Sequence, residues 1–517
     1  GEEAMKKLPI GISTLSTIIE EDLVYVDKTE YVHRLVATSG RYFLSRPRRF
    51  GKSLFLDTLK TLFDGREELF RSLYIHDKWD WSRKHPVIKV DFAGGSTRDR
   101  AELELRLGEK LAAMQREFGM ALTAGSVAGQ FAELIQVLSE KTGTKVVVLI
   151  DEYDKPLLDN LGKPGVQEEI REGLRDFYSV IKEQDANLQF VFLTGVSKFS
   201  KVSIFSGINN LEDLTLDSRY AAVCGYTETD LDRCFGEHLA GVDRDLLKRW
   251  YNGYQYLGEP VYNPFDILLF IAKGHSYRPF WFETGTPSFL MQLFRQRQYF
   301  LPELEDLEVG DEILSSFDLE RIEPATLLFQ TGYLTIKGTV DAGMGQLGYR
   351  LGFPNYEVKT AFARSLVTAY TDITTEKLRY ERALYDSLFK ADLPGLEGAI
   401  LRLFAGIAHR NYTKNELAGF DGYYASVLYA FFASLDCVVI PEDISSHGQT
   451  DMTVQLGDNI FVMEIKVVAR SPVIEAGAVF AAVAGAASGA ASGATGVPAT
   501  AETPNPALEQ IRLRGYA

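Results

Sequence analysis

One stretch constrains this chain more than any other: Arg46-Pro47-Arg48-Arg49-Phe50-Gly51-Lys52-Ser53. It follows a short apolar run, Tyr42-Phe43-Leu44, and precedes a helix-like stretch from Leu54 to Phe63. The spacing is that of G-x-x-x-x-G-K-[ST], with arginine where the first glycine would stand, and strand–loop–helix is the context that spacing requires. Backbone N–H groups of such a loop, with the helix N-terminus behind it, form a cradle for a phosphate anion. Lys52 is placed to reach outer phosphates, the Ser53 hydroxyl to help hold Mg²⁺, and Gly51 to give the turn. Arg46, Arg48 and Arg49 join Lys52 in a basic patch whose expected partner is a nucleotide phosphate. A basic turn on an ordinary surface is the simpler alternative.

A second half of the same site lies downstream. Lys145-Val146-Val147-Val148-Leu149-Ile150-Asp151-Glu152 is a continuous apolar run ending in two acids. Such a run fits a parallel strand covered on both faces, and its carboxyl end is where open α/β sheets bind ligands. Asp151 is expected to hold Mg²⁺ and Glu152 to polarise an attacking water; a helix-capping acid is the alternative for Glu152. Val87-Ile88-Lys89-Val90-Asp91-Phe92 and Gln189-Phe190-Val191-Phe192-Leu193-Thr194-Gly195 read as two further strands of the sheet. Thr194 ends the second and is the candidate γ-phosphate sensor, against a purely local hydrogen bond.

Bulk properties narrow the partners. The chain has 517 residues, 46% hydrophobic and 24% charged, enough for several buried cores. Its net charge of −16 argues against a general electrostatic grip on nucleic acid, so any such contact needs a local basic patch. The three cysteines lack the spacing of a zinc site or a disulfide framework and read as core thiols in a reducing compartment. No apolar run is long enough to span a bilayer and no signal-peptide pattern opens the chain, so a cytoplasmic protein without membrane contact is expected.

Several segments together resemble the AAA-ATPase-like family: Leu8-Pro9-Ile10-Gly11-Ile12-Ser13, Tyr25-Val26-Asp27-Lys28-Thr29, Ser45 to Leu54, Asp151-Glu152-Tyr153-Asp154-Lys155-Pro156 and Thr194 to Ser200. The resemblance implies ATP as ligand and makes Arg46 part of the family pattern. It also implies a C-terminal PD-(D/E)XK nuclease-like domain.

That domain has its own residues. Thr450 to Leu456, then Gly457-Asp458, then Asn459 to Lys466 read as a β-hairpin. A two-residue loop sets Leu456 opposite Asn459, and therefore Asp451 opposite Glu464. Like charges so placed repel across roughly 5 Å, and Lys466 shares their face. A divalent metal bridging Asp451 and Glu464, with Lys466 at the water or phosphate, would account for the set. The D…ExK pattern resembles the PD-(D/E)XK nucleases, and the resemblance implies that Gln510 and Tyr516 position nucleic-acid phosphate. Asp421 stands where the resemblance leads one to expect a glutamate. A salt-bridge cluster of Glu464 with Lys466 is the alternative.

The expected architecture is α/β. A P-loop NTPase parallel sheet (RecA/AAA-like) occupies 1–225. A helical lid and winged-helix-like unit cover 226–372. A restriction-endonuclease-like α/β domain covers 373–517, with a flexible Ala/Gly/Ser-rich insertion at 471–506. The expected function is ATP binding and hydrolysis coupled to Mg²⁺-dependent action on DNA or RNA, with oligomerisation allowed. A nucleotide-dependent switch or scaffold, whose nuclease-like domain is inactive and binds a partner, is the rival that the acidic net charge favours.

Overall fold

The computed structural model describes residues 5–198, 204–205, 208, 210–285, 288–315, 321–411, 422–441, 444–445, 448–449, 452–468 and 477–486. Two helices, α1 (Leu15–Glu20) and α2 (Thr29–Val36), lead into β1 (Arg41–Ser45), which is buried throughout. Directly behind the arginine-rich loop comes α3 (Lys52–Phe63). The chain continues through β2 (Val87–Asp91), α4 (Arg100–Phe118), α5 (Val127–Thr142), β3 (Val146–Asp151), α6 (Lys155–Leu158), α7 (Pro164–Glu183), β4 (Leu188–Gly195) and β5 (Glu212–Asp213). The five strands make one parallel sheet in the order β2-β3-β4-β1-β5. Val146 to Ile150 of β3 are all fully buried, as a strand covered on both faces requires. Each such side chain contributes roughly 1.5–3 kcal/mol of burial.

The covering helices follow from spacing and caps. In α4 the buried residues Leu103, Leu107, Leu111 and Met114 fall on one face. The Asp99 side chain accepts from Glu102 N at its start, and Gly119 turns left-handed at its end. Ser126 caps α5 in the same way, and Phe131 of α5 stacks on Phe177 of α7 at 4.4 Å.

Beyond the sheet come α8 (Glu228–Phe235), α9 (Arg244–Tyr251), α10 (Pro264–Ala272) and α11 (Phe280–Glu283). Thr227 and Asp230 close a capping box at the start of α8. Phe235, Leu247, Tyr251, Ile267 and Phe270 build a helical core with Val24 and Val26 of the N-terminal segment. Next are α12 (Ser288–Gln296), β6 (Leu307–Gly310), α13 (Asp311–Ser315), α14 (Pro324–Thr331), β7 (Thr335–Asp341) and β8 (Leu347–Gly352). A helix followed by a hairpin is the order expected of a winged-helix-like element, and its sheet runs β6-β8-β7.

The chain divides into two compact units, Gly1–Thr284 with Val309–Tyr349, and Gly285–Glu308 with Arg350–Ala517. The second unit holds α15 (Tyr356–Thr371), α16 (Lys377–Phe389), α17 (Leu393–Asn411) and α18 (Tyr423–Ser434). Its strands are β9 (Val438–Pro441), β10 (Ile444–Ser445), β11 (Gly448–Gln449), β12 (Met452–Leu456), β13 (Asn459–Val468) and β14 (Gly477–Ala486). Helix α18 is buried almost all round and so is central. The Tyr423 hydroxyl donates to Tyr370 O at 2.9 Å, and the Tyr429 hydroxyl donates to Glu305 Oε1 at 3.0 Å. Four strands form an antiparallel sheet, β14-β13-β12-β9.

Strand β14 corrects one expectation. Residues 477–486 fall inside the segment expected to be a flexible insertion, yet they pair with β13 along its whole length. Composition misleads here because ladder hydrogen bonds come from the backbone, which Ala and Gly supply as well as larger residues. Among the described residues, no helix is long and apolar enough to cross a membrane. All three cysteines are free thiols.

Candidate functional sites

The carboxyl end of the parallel sheet gathers the first site. Strand β1 delivers the loop, β3 delivers Asp151 and Glu152, and β4 lies between them. The Ser53 hydroxyl donates to Asp151 Oδ2 at 2.6 Å, joining the two sequence-distant halves. Lys52 is buried, and its ammonium donates to Pro47 O at 2.7 Å, across the loop that carries it. Burial lowers the Lys52 pKa and raises that of Asp151. Among the described residues the Lys52 hydrogen bond goes to a neutral carbonyl, with Asp151, Asp154 and Glu152 acting on the ammonium only through space, and an anionic phosphate could take the carbonyl's place.

Glu152 follows β3 with φ of 50°, a left-handed conformation costly for a residue with a side chain. Backbone of this kind clusters at functional sites. Its N–H donates to Asp151 Oδ1 at 2.9 Å. Burial, then the charges of Asp151 and Asp91, push the Glu152 carboxyl up to about 7. A carboxylate titrating there is matched to accepting a proton near neutral pH.

Two acids without an assigned role in the sequence reading belong to this end of the sheet. Asp91 ends β2 directly beside Asp151 in the parallel register. Its signal was legible, since it too is an acid at the carboxyl end of an apolar strand. Asp154 is buried and accepts from Val196 N at 3.1 Å and Ser197 N at 2.6 Å, tying the turn after β3 to the end of β4.

The arginines divide. Arg46 does not face the phosphate loop. It is 1% exposed, and its guanidinium donates to Ser45 O, Thr215 O and Tyr220 O at 2.9–3.2 Å, with its plane 3.7 Å from the Tyr256 ring centroid. Those four partners account for its burial, so the structure corrects its expected nucleotide contact to a brace beneath the loop. Arg48 lies over the Trp281 ring at 4.6 Å and donates to Thr284 Oγ1 at 3.2 Å. Arg49 stays exposed, with φ of 60°, over the Phe265 ring. Thr194 is also corrected: it is fully buried, and its hydroxyl donates to Leu44 O at 2.8 Å inside the sheet.

In the second unit, the hairpin register is as expected. Leu456 pairs with Asn459 around Gly457-Asp458, and Met452 pairs with Met463. Glu464 is buried, at 4% exposure, and its backbone pairs with Ala481 of β14. Lys466 pairs with Val479 in the same ladder. Asp451, Asp421, Gln510 and Tyr516 lie outside the described residues. Among the described residues, no group of three or more His, Cys, Asp or Glu side chains gathers as a metal site.

Comparison with known proteins agrees with both halves. Residues 9–205 match the family described as "Predicted AAA-ATPase", and residues 419–517 match the PD-(D/E)XK nuclease superfamily. The chain belongs to this AAA-ATPase-like family with a PD-(D/E)XK-superfamily C-terminal domain. It is also 50% identical over 468 residues to an Azotobacter chroococcum mcd 1 protein described as "Uncharacterized protein in vnfD 5'region", covering 90% of each chain. The first family match spans the phosphate loop, Asp151-Glu152 and Thr194, and the second spans Asp451, Glu464 and Lys466.

Proposed function

We propose that the first unit binds and hydrolyses ATP, and that the cycle governs a Mg²⁺-dependent action of the nuclease-like domain on nucleic acid in a reducing, cytoplasmic setting. The observation that carries the ATP reading is the Ser53–Asp151 contact beside Lys52. A hydroxyl and a carboxylate in contact are the hard oxygen donors that Mg²⁺ prefers, so the residues fit the ion. When bound, Mg²⁺ would neutralise charge on phosphate oxygens. Lys52 exchanges the Pro47 carbonyl for phosphate oxygen. The loop N–H groups and the α3 N-terminus hold the anion in place. Glu152 Oε accepts the proton of the attacking water, for which a pKa of about 7 suits it.

For the second unit, Glu464 and Lys466 are assigned with Asp451 to the metal-dependent step on a phosphodiester, and Gln510 and Tyr516 to phosphate positioning. ATP turnover is expected to vanish in Lys52→Ala and in Glu152→Gln, the latter retaining ATP binding. Labelled DNA and RNA incubated with Mg²⁺ should be cut by the wild type and not by Lys466→Ala. Absence of cleavage on every substrate would favour a nucleotide-dependent switch, the reading to which the net charge of −16 already points. Absence of ATP binding would remove both.

A further inference from the structure

Helix α16 carries two apolar faces. Leu384 and Leu388 face inward and are buried, as a helix packed on one side requires. Leu378, Tyr385 and Phe389 are instead 64%, 41% and 63% exposed. Single exposed apolar residues are ordinary, but three large ones on a helix of 13 residues call for a cover. They share one side of the helix. With Arg382, also exposed, they stand at positions 378, 382, 385 and 389, and a helical turn of about 100° per residue puts all four within roughly 60° of arc. The Tyr385 and Phe389 rings stack at 5.9 Å between centroids and 11° between planes, which holds the stripe in shape.

Spacings of four, three and four are those of the a and d positions of a coiled-coil seam. Arg379 and Asp386 flank the stripe on the side away from the buried face, and both are exposed. Among the described residues neither forms an ion pair.

The stripe is complementary to itself when reversed. A second copy of α16, turned end for end about the midpoint between Arg382 and Tyr385, sets Leu378 against the partner's Phe389. The same turn sets the Arg382 guanidinium against the ring of the partner's Tyr385, a favourable cation–π pair. Arg379 then stands about 3 Å along the axis from the partner's Asp386, within reach of an ion pair. Two-fold symmetry makes each contact twice. A parallel pairing would instead set arginine against arginine and aspartate against aspartate.

We propose that this face of α16 is a homodimer interface, in which α16 of a second copy pairs with it antiparallel. The occupant is a second copy because the charges that flank the stripe find their opposites on the stripe's own reverse. A helix of 13 residues is about 20 Å long, so one such pair falls below the roughly 1,200 Å² of a standard interface. The dimer is therefore weak and depends on concentration through the micromolar range.

The test is sedimentation velocity of the full chain from low to high micromolar concentration. A reversible shift from monomer to dimer is expected, and Phe389→Lys should stay monomeric over the same range. Arg379→Glu and Asp386→Arg each set like charges across the seam twice, and each should weaken the dimer by roughly tenfold. Together they restore opposite charges, and the double variant should regain wild-type association. Both positions are exposed, and the new charges suit their ends of the helix, so the fold is kept; circular dichroism and urea midpoints check it. A wild type that is monomeric throughout would overturn the proposal. So would a dimer that persists in folded Phe389→Lys, which would place the contact elsewhere. A double variant as weak as the single ones would exclude the antiparallel register. The stripe lies in the second unit, so none of these outcomes depends on ATP binding.

Discussion

Glu152→Gln isolates the electrostatics of the first site, because it keeps side-chain shape and the left-handed backbone while removing one ionisable group. In the folded chain the carboxyl is pushed from 4.5 to about 7, mainly by burial and then by Asp151 and Asp91. A glutamate in the unfolded chain titrates near 4.3. Well below that pH the group is neutral in both states and burying it carries no charge penalty. As pH rises the unfolded state ionises first, so stability falls, and the loss is complete only above the folded-state value. The full difference is roughly 3–4 kcal/mol at about 1.4 kcal/mol per pKa unit. Glu152 is partly open to solvent, and screening reduces this to roughly 1–2 kcal/mol. Urea unfolding followed by tryptophan fluorescence reads the right unit, since Trp79, Trp81, Trp250 and Trp281 are the chain's four tryptophans and all lie in the first unit. Glu152→Gln should exceed wild type by roughly 1–2 kcal/mol at pH 8 and by well under that at pH 5. A difference that does not vary with pH, or a variant less stable at pH 8, would refute the account of Glu152 as a buried acid beside two others.

Lys52→Ala should weaken ATP binding by roughly tenfold to a hundredfold in calorimetry, the worth of one charge-assisted contact. Asp154→Asn replaces a carboxylate that receives two backbone N–H groups, and should lower the urea-derived stability of the first unit by about 2–3 kcal/mol. Arg46→Gly should cost about 3–5 kcal/mol by the same assay, from a buried void and the donor lost to the Ser45 and Thr215 carbonyls, with no gain in ATP affinity.

What the sequence made legible was whatever depends on local pattern. The strands ending at Ser45, Asp151 and Gly195 were readable because a covered parallel strand must be apolar throughout. The β12–β13 register was readable because a two-residue loop leaves one pairing. The Thr194 hydroxyl was not, since its partner, the Leu44 carbonyl, belongs to a strand 150 residues away and depends on the β1–β4 pairing. Strand β14 escaped notice for a different reason: its pairing is carried by backbone, and no side-chain pattern marks it.

The loop's missing glycine follows from where the backbone turns. A glycine is required where φ is positive, and in this loop those positions are Arg49 and Gly51, at 60° and 90°. Arg46 is not among them; its N–H donates to Gly195 O at 3.1 Å, continuing the β1–β4 ladder by one more bond. The first position of the motif is therefore free to carry a side chain, provided that the side chain has somewhere to go. Here it goes down, onto Tyr256 and the carbonyls of Ser45, Thr215 and Tyr220. Three residues on, the situation is reversed: Arg49 is exposed and carries left-handed strain of about 1–2 kcal/mol, set against an exposed stack on Phe265 of about 0.5–1 kcal/mol. Glycine at 49 should thus relieve strain in excess of the stack it removes, where glycine at 46 removes a brace, so the two substitutions are expected to move stability in opposite directions. A loop built on the glycine at its first position would show the contrary order.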